Sequence, residues 1–518
     1  MTAATGTARR PAHAVVVGAG PNGLAAAVTL AEAGWQVTVL EAASRPGGAA
    51  RTAEVTLPGF HHDLASAVHP AAAASPVFAR WPLARHGLTW SHPAVPLAHP
   101  LDDGSAVVLS RSLAETREGL ERHARGDGER WADLVAPLLR RFDAVRGALL
   151  GAFPPVRASA RLLARLGPTG ALELARTALA PARGLADELF ASDGARAWLY
   201  GTALHGDAGP GSAGSAMTGL YLKLLGHAVG WPSPTGGAQR LPDALAGYLR
   251  ELGGVVRCDA RVTSVGIASG RVAGVEVASG ERIPADAVVC ATTPRTLAAI
   301  AGHALPGRTL RRYRRFRYGP GALKIDWALD GPVPWAAAAA SRAGTVHVGG
   351  SAAELARAAA EVELGEWPQR PFVLAGSQSV ADPSRAPAGQ HTAWAYTRTP
   401  HPGSAGEVEA HAARVEAQIE WFAPGFGARV LARYVQGPSD LEAANESLVG
   451  GDVGAGSLAL DQVVFRPAPG LSPYRTGVTG LYIGSASTFP GPAVHGVGGH
   501  AAARAAILDR RARLLSRR

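Results

Sequence analysis

The sequence predicts an α/β protein built around a parallel β-sheet, and three stretches of the chain support this fold class. An apolar run at 14–17 is followed by a glycine-rich turn, a helical segment at 24–33 and a second strand at 36–40. A further apolar strand is predicted at 287–291, and another at 480–484, which precedes a glycine-rich helix start. Strands that are buried on both faces of a parallel sheet have such continuous apolar runs, and helices connect them.

The composition is that of a globular protein. The chain has 518 residues, enough for two or three domains, and it is 47% hydrophobic and 18% charged. No apolar run reaches the roughly 20 residues that span a bilayer, and the first residues lack the apolar core of a secretory signal. The two cysteines, Cys258 and Cys290, exclude a disulfide framework and a C-x-x-C redox pair. We therefore expect a cytoplasmic protein.

The net charge of +10 comes almost entirely from arginine, since Lys223 and Lys324 are the only lysines. No nucleic-acid-binding motif accompanies the arginines, so we expect no nucleic-acid partner. The arginine-dense run at 308–317 is interpreted as a solvated or membrane-facing surface. In the predicted helix 155–166 arginines recur every four residues. This basic stripe is either a solvated surface or an interfacial helix that rests on anionic lipid.

The turn at Gly18–Gly23 has the G-x-G-x-x-G spacing of a dinucleotide site. Gly18 permits the tight turn, Gly20 lets the backbone approach a pyrophosphate, and Gly23 lets helix and strand pack closely. The helix N-terminus offers unpaired N–H groups to the phosphates. Glu41 follows about 20 residues later, where a carboxylate binds an adenosine ribose. The alternative, an ordinary strand–helix turn, explains the glycines but not the acidic residue.

The segment 45–52, RPGGAART, resembles the second glycine pair of FAD-binding amine oxidases and carotenoid desaturases. NAD dehydrogenases do not usually carry this pair, so the resemblance implies FAD. It also implies that Gly48 and Arg51 contact the cofactor. Arg51 would replace the arginine that directly follows the glycine pair in relatives, because Ala49 stands there in this chain.

Two later blocks resemble the same family. The order of elements over 236–294 is similar to its middle FAD segment, where the backbone at Val262 would contact the adenine. The block at 480–508 is similar to its C-terminal FAD motif, in which a helix N-terminus points toward the flavin pyrimidine ring. Ser485 replaces an acidic residue that relatives often have, and Pro492 replaces a glycine. The residues implied at the cofactor in this block are Gly484, Ser485, His495, Gly496 and Val497.

Taken together, the three blocks are similar to the phytoene desaturase-related FAD oxidoreductases, a group that lies near the amine oxidases. The resemblance implies a Rossmann-like FAD-binding domain assembled from the discontinuous segments 13–85, 235–305 and 471–518. A mixed β-sheet and a set of helices would form the substrate or cap domain from 86–234 and 306–470. No second nucleotide site is evident for NAD(P)H.

The activity that the resemblance implies is FAD-dependent hydride removal, by desaturation or oxidation, from an apolar small molecule. This molecule would be isoprenoid-like or amine-bearing, and oxygen, a quinone or another acceptor would reoxidise the flavin. Two alternatives stay open: non-redox isomerisation of a polyene, and a catalytically degenerate interaction protein. We expect non-covalent FAD, because no cysteine lies in a flavin-ring motif. The oligomeric state is not predicted.

Lys324 and His495 are the candidate catalytic residues. The strand at 321–329 alternates apolar and polar residues. In amine-oxidase relatives a lysine at the matching point in chain order holds a water near flavin N5. The alternative is that Lys324 and Asp326 pair on a solvent-facing surface.

Three histidines, His61, His62 and His69, lie close together in a predicted loop. Histidine clusters can bind metal, but no fourth ligand follows at a suitable spacing. We therefore expect no metal site, and we expect this loop to lie beside the flavin.

Overall fold

The computed structural model describes residues 11–516. Residues 1–10, on which the expectation about a secretory signal mainly depends, lie outside the described residues. The strands are, in chain order, β1 (His13–Val17), β2 (Gln36–Leu40), β3 (Thr52–Ala53), β4 (His62–Asp63), β5 (Trp90–Ser91), β6 (Val95–Pro100), β7 (Ala106–Leu109), β8 (Ser233–Pro234), β9 (Val255–Arg257), β10 (Val262–Ala268), β11 (Arg271–Val277), β12 (Arg282–Pro284), β13 (Ala287–Cys290), β14 (Gly321–Leu329), β15 (Ala343–Val348), β16 (Val373–Gly376), β17 (His391–Thr399), β18 (Val430–Gln436) and β19 (Leu481–Ile483).

Some α-helices cover the faces of the sheets. The helices that lie between β7 and β8 in chain order form a separate layer. The α-helices are, in chain order, α1 (Pro21–Glu32), α2 (Pro70–Ala73), α3 (Leu113–His123), α4 (Asp127–Leu139), α5 (Phe142–Leu149), α6 (Val156–Leu179), α7 (Ala182–Leu189), α8 (Asp193–Ala203), α9 (Ser215–Val229), α10 (Arg240–Glu251), α11 (Pro294–Ala301), α12 (Gly307–Arg314), α13 (Ala352–Glu363), α14 (Ala405–Phe422), α15 (Pro438–Ala444), α16 (Leu460–Val463) and α17 (Val497–Leu515).

The first sheet is parallel throughout, with the strand order β19-β13-β1-β2-β9. In chain order the sheet grows from β1 to β2 and β9 on one side, and then to β13 and β19 on the other. This is the doubly wound arrangement, whose crevice opens at the carboxyl ends of the strands where the order reverses, between β1 and β13. The predicted α/β, Rossmann-like fold class is confirmed.

Helices α1 and α17 cross closely on one face of this sheet. A Cβ at Gly499 would lie 1.7 Å from the carbonyl oxygen of Asn22, so only glycine permits this approach. Both helices begin near the crevice, because each follows a strand of the parallel sheet. Helix α1 starts at Pro21, three residues earlier than expected, since proline is favoured in the first helical turn.

The second sheet has the order β18-β14-β17-β16-β15-β6-β7 and is mostly antiparallel. Strand β14, the second strand from one edge, alternates as predicted. The four apolar side chains of one face lie in a single core cluster: Leu323, Ile325, Trp327 and Leu329. The other face, which carries Lys324 and Asp326, is buried as well. The alternative in which this face meets bulk solvent is therefore wrong, because the face forms part of the cavity wall and packs against His62.

The helical layer departs from the sequence prediction at two points. The sequence pattern predicts a single helix from 131 to 150, but the chain bends at Arg141 and forms α4 and α5. Helix α6 continues beyond the predicted end at Leu166, with a kink at Gly167, which has φ 72°. The arginines of its first half are exposed, and contact with a lipid surface stays a prediction. Among residues 11–516, no helix has both the length and the apolar character that crossing a bilayer requires.

The two sheets follow the predicted division of the chain. All five strands of the parallel sheet lie within the segments 13–85, 235–305 and 471–518. All seven strands of the second sheet lie within 86–234 and 306–470. The domain boundaries themselves stay a prediction.

Candidate active site

A cavity of about 770 Å³ runs from the carboxyl end of β1 to one face of the seven-stranded sheet. Small-molecule sites occupy about 300–1,000 Å³, so this cavity lies in the upper part of that range. It gathers most of the residues that the sequence singled out, which come from all three blocks and from β14. These are Gly18, Gly20, Gly23, Glu41, Gly48, Arg51, Val262, Lys324, Ser485 and His495.

The glycine turn forms one end of the cavity. A Cβ at Gly23 would lie 1.9 Å from the carbonyl oxygen of Gly18, so this glycine is required for packing within the turn. Gly20 differs, because a Cβ there would meet only the Cα of Gly48, at 3.7 Å. Its open side belongs to the cavity wall. No side chain caps the N-terminus of α1 at Gly20, so this helix end presents its dipole to the cavity.

Glu41 is held against the turn by its carboxylate. One oxygen accepts the N–H of Ala19 at 2.7 Å, and the other accepts the N–H of Ala43 at 2.9 Å. Because a carboxylate oxygen can accept more than one hydrogen bond, both remain able to bind hydroxyl groups. Arg51 lines the same end of the cavity, where its Nη2 donates to the carbonyl oxygen of Ala444 at 3.0 Å.

Three of the predicted site residues do not line the cavity. A Cβ at Gly484 would lie 2.6 Å from Cβ of Ala502, and one at Gly496 would lie 2.5 Å from the ring of Phe78. Gly484 therefore permits close packing of β19 against α17, and Gly496 permits close packing of the start of α17 against Phe78 and Ala25. The N–H of Val497, the first residue of α17, is donated to Nδ1 of His495 at 3.1 Å. One N–H group at this helix end is therefore bound within the protein, and the orientation of the helix end toward the flavin stays a prediction.

His495 is a buried, uncharged side chain at the cavity wall. Burial lowers its pKa to about 4, so the imidazole is neutral at physiological pH. Because Nδ1 accepts the N–H of Val497, the proton is assigned to Nε2, which has no partner among the described residues. Ser485 is also buried, and its Oγ accepts the N–H of Ser487 at 3.1 Å.

Lys324 reaches the cavity from β14 and forms a buried ion pair with Asp326. His62 lies on the far side of this carboxylate, with Nδ1 3.5 Å from Oδ1. Burial acts to raise the pKa of Asp326, but Lys324 and His62 together hold the pKa below its ordinary value. Asp326 is therefore ionised, and it fixes the position of the lysine ammonium. None of the three loop histidines lines the cavity, although the loop residues Ser66, Ala67 and Val68 do, and His62 is the histidine that contacts Asp326.

A loop at 452–458 forms part of the wall and was not predicted from the sequence. The carboxylate of Asp452 accepts backbone N–H groups from Gly319, Gly454 and Gly456, at 2.9, 2.7 and 2.7 Å. In the sequence the segment Val453–Gly456 imitates a dinucleotide turn but lacks a full preceding strand and the third spaced glycine, so it does not predict a nucleotide site. An aspartate directly before these glycines was the available signal, since it commonly organises a tight turn.

Strand β17 was expected as a strand, but its role in the cavity was missed. Trp394, Tyr396 and Arg398 all line the cavity, because alternate residues of a strand share one face. The rings of Trp394 and Tyr396 are stacked, with centroids 6.4 Å apart. Tyr396 lies directly opposite Lys324 on the neighbouring strand. The alternation in this strand was visible in the sequence, but its neighbour in the sheet was not.

Two family profiles match the chain. The profile described as flavin containing amine oxidoreductase matches residues 106–404, which is more than half of the sequence. A second profile, described as an NAD(P)-binding Rossmann-like domain, matches residues 16–81. The second match covers the glycine turn, Glu41 and the glycine pair.

Individual proteins of similar sequence or structure agree with these profiles. Pyridine nucleotide-disulfide oxidoreductase domain-containing protein 2 of Rattus norvegicus is 29% identical over 98% of this chain and 95% of its own length. Phytoene desaturase (neurosporene-forming) of Rhodobacter capsulatus is 26% identical over 94% of this chain and 91% of its own. A mutant of putrescine oxidase superposes with a TM-score of 0.63 at 18% identity, covering 97% and 99% of the two chains. The last likeness concerns the fold alone.

Proposed function

This chain belongs to the flavin containing amine oxidoreductase family, and we propose that it removes hydride from a largely apolar small molecule. The reaction would be a desaturation or an oxidation, as the names of its relatives include both. As an oxidoreductase of this family, the protein has FAD as its cofactor and requires a small-molecule substrate and an electron acceptor. The proposal concerns the type of substrate and the residues that act on it.

The residues at the glycine end of the cavity fit FAD. The open side of Gly20, the uncapped start of α1 and the carboxylate of Glu41 supply a cradle, N–H donors and hydroxyl acceptors in that order along one wall. Val262 and Arg51 belong to the same wall. In this proposal Glu41 holds the ribose and the backbone at Gly20 holds the pyrophosphate. FAD supplies hydride acceptance when it is bound.

The observation that carries the proposal is the continuity of the cavity. It extends without a break from the FAD cradle to the face of β14 and β17, where Lys324 and the stacked aromatic rings lie. Most of the intervening wall is apolar, including Leu150, Leu222 and Ile300. A cavity of this kind favours an apolar substrate that is held against the cofactor at one end.

Lys324 is proposed to bind a water molecule or transfer a proton during the reaction. Its Nζ is oriented by Asp326, which is itself fixed by His62. An ammonium that is held in this way can bind a water molecule or transfer a proton at Nζ, because the side chain is already fixed in one conformation. His495 is proposed to act as a neutral donor through Nε2, since burial prevents it from carrying charge.

An anaerobic substrate screen tests the proposed function. Purified holoenzyme is mixed without oxygen with a polyene, a primary amine or a carboxylic acid, and the flavin spectrum is recorded. We expect one class to bleach the flavin absorption, and readmitted oxygen or an added quinone to identify the acceptor. If dithionite bleaches the flavin but no substrate class does, hydride removal is the wrong reaction.

The FAD is proposed to be bound non-covalently. Cys290 lies in the core of the parallel sheet, and burial raises the pKa of its thiol to about 12, so it is not a nucleophile. His495 has Nδ1 occupied by a backbone N–H. We expect acid precipitation to release the flavin into the supernatant, whereas colour that stays in the pellet would show a covalent bond.

A further inference from the structure

Arg398 carries a guanidinium on the cavity wall that lacks an acidic partner. Its Nη2 donates to the carbonyl oxygens of His205 and Gly206, at 3.1 and 3.3 Å. Its Nε and Nη1 are buried and have no hydrogen-bond partner within residues 11–516. The nearest compensation is the ring of Tyr396, whose centroid lies 5.9 Å from Cζ. The guanidinium is thus fixed in position but only partly satisfied.

Two of the other three cationic side chains of the wall have acidic partners, whereas the third, Arg51, donates only to a backbone carbonyl and leaves its Nε without a partner within residues 11–516. Lys324 is paired with Asp326, and Arg261 with Glu446. Arg51 packs against the glycine pair at the FAD end, where a Cβ on Gly47 would lie 2.6 Å from its Cγ. Arg398 lies on the sheet instead, two residues along β17 from Tyr396 and opposite Ala322. Arg398 therefore lies about 7 Å along the strand from the cross-strand pair of Tyr396 and Lys324.

A guanidinium remains charged when it is buried, because its intrinsic pKa is too high for it to lose a proton. Leaving Nε and Nη1 without acceptors is unfavourable, and neither carbonyl oxygens nor an aromatic ring supplies the missing charge. A carboxylate does supply it, since it carries a full negative charge and its oxygens accept hydrogen bonds from guanidinium N–H groups. The fork is already anchored by Nη2, so little freedom is lost when such a ligand binds.

We propose that Arg398 binds a carboxylate of the substrate. The substrate class is then an amphipathic carboxylic acid. Its apolar body lies along the aromatic rings of β17, and its acid group lies beside Arg398, two residues along the strand from the position opposite Lys324. This inference rests on the proposed function for the reaction, but the binding of the carboxylate does not depend on turnover.

Calorimetric titration of the oxidised holoenzyme tests the proposal, with octanoate, octanamide and octylamine as probes. These three have the same chain length and differ in the charge of the head group. We expect octanoate to bind at least about tenfold more tightly than octanamide, and octylamine to bind more weakly still. Tighter binding of octylamine than of octanoate, or the absence of saturable octanoate binding, would overturn the proposal.

Three variants refine this test. Arg398→Met should weaken octanoate binding by about tenfold or more while leaving octanamide binding unchanged, and Arg398→Lys should retain part of the preference. Arg308→Met, which removes an exposed arginine on α12, is the matched control and should change neither. If Arg398→Met does not fold, Arg398→Lys and the comparison of probes on the unaltered protein decide the question. Unchanged octanoate affinity in folded Arg398→Met contradicts the assignment even if the flavin screen succeeds, whereas failure of that screen leaves the binding result intact.

Discussion

At the scale of single residues, Glu41 joins the end of β2 to the glycine turn through both oxygens of its carboxylate. Glu41→Ala removes these hydrogen bonds together with the proposed ribose contact. We expect FAD binding to weaken by about 1–3 kcal/mol, the range for charge-assisted hydrogen bonds. Reconstitution of apoprotein with FAD, followed by fluorescence, measures the change. Glu118→Ala, at an exposed position on α3, should leave the affinity unaltered.

Lys324→Met separates a catalytic role from a structural one. If Nζ positions a water molecule or a proton, the rate of flavin reduction should fall by about 10²-fold. The variant also leaves Asp326 buried without its cationic partner, which costs about 3 kcal/mol or more of folding free energy. Stopped-flow reduction and thermal unfolding measure the two effects separately.

The double variant Lys324→Met with Asp326→Asn is the control for this test. It removes the unpaired carboxylate, so most of the stability should return while the rate of flavin reduction stays low. Reduction at the original rate in this folded double variant would show that the lysine has only a structural role.

At the scale of elements, two glycines of the turn before α1 should respond differently to alanine. At Gly20 a Cβ meets ordinary van der Waals distances, so the free energy of unfolding of the apoprotein should change by less than about 1 kcal/mol. The same methyl group intrudes on the proposed pyrophosphate position, so FAD affinity should fall about tenfold or more. At Gly23 the Cβ meets a backbone oxygen, so Gly23→Ala should destabilise the apoprotein itself by about 1–3 kcal/mol.

Urea unfolding of each apoprotein and FAD titration of each variant measure these effects. Equal FAD affinity for Gly20→Ala and the unaltered protein would contradict the placement of the pyrophosphate at this turn.

The elements that could be predicted are those whose sequence pattern is local. Strands β1 and β2 match the prediction to within one residue, because their apolar runs and flanking turns are contiguous. The break between α4 and α5 was missed, since neither glycine nor proline marks Arg141. Arg398 was missed for another reason. Its significance depends on facing the same cavity as Lys324, and sheet neighbours that are distant in sequence cannot be read from a single strand.

At the scale of the whole molecule, the cavity is lined by segments from both ends of the chain. This is because β19, which comes from the last block, is an edge strand of the same parallel sheet as β1 and β2. The resemblance of the three blocks implied that they would meet in one domain, but Gly484 and Gly496 of the last block pack within the fold and do not line the cavity. The burial of both faces of β14 in the second sheet could not be predicted. Lys324 and Asp326 look like a solvated pair in the sequence, and only the packing of the cavity wall shows that both are buried.

The burial of many histidines should make the folded protein sensitive to acid. Burial lowers the pKa of His205 to about 3, and it lowers to about 4 the pKa values of His69, His99, His227, His495 and His500. In the unfolded chain these groups take up protons below about pH 6.5, whereas in the fold they do not. Stability is therefore full above pH 6.5 and is lost as the pH falls toward 4, by about 1.4 kcal/mol per pH unit for each proton bound.

Thermal unfolding between pH 7.5 and 5 checks this expectation, because carboxylates titrate mainly below that window. We expect Tm to fall steadily across it. His500→Gln, at a half-buried position on α17, should make the decline shallower, because one group no longer takes up a proton on unfolding. His303→Gln should leave the decline unchanged, because that histidine is exposed. A Tm that is constant from pH 7.5 to 5 would mean that the histidines bind protons equally in both states, so that their burial does not oppose protonation.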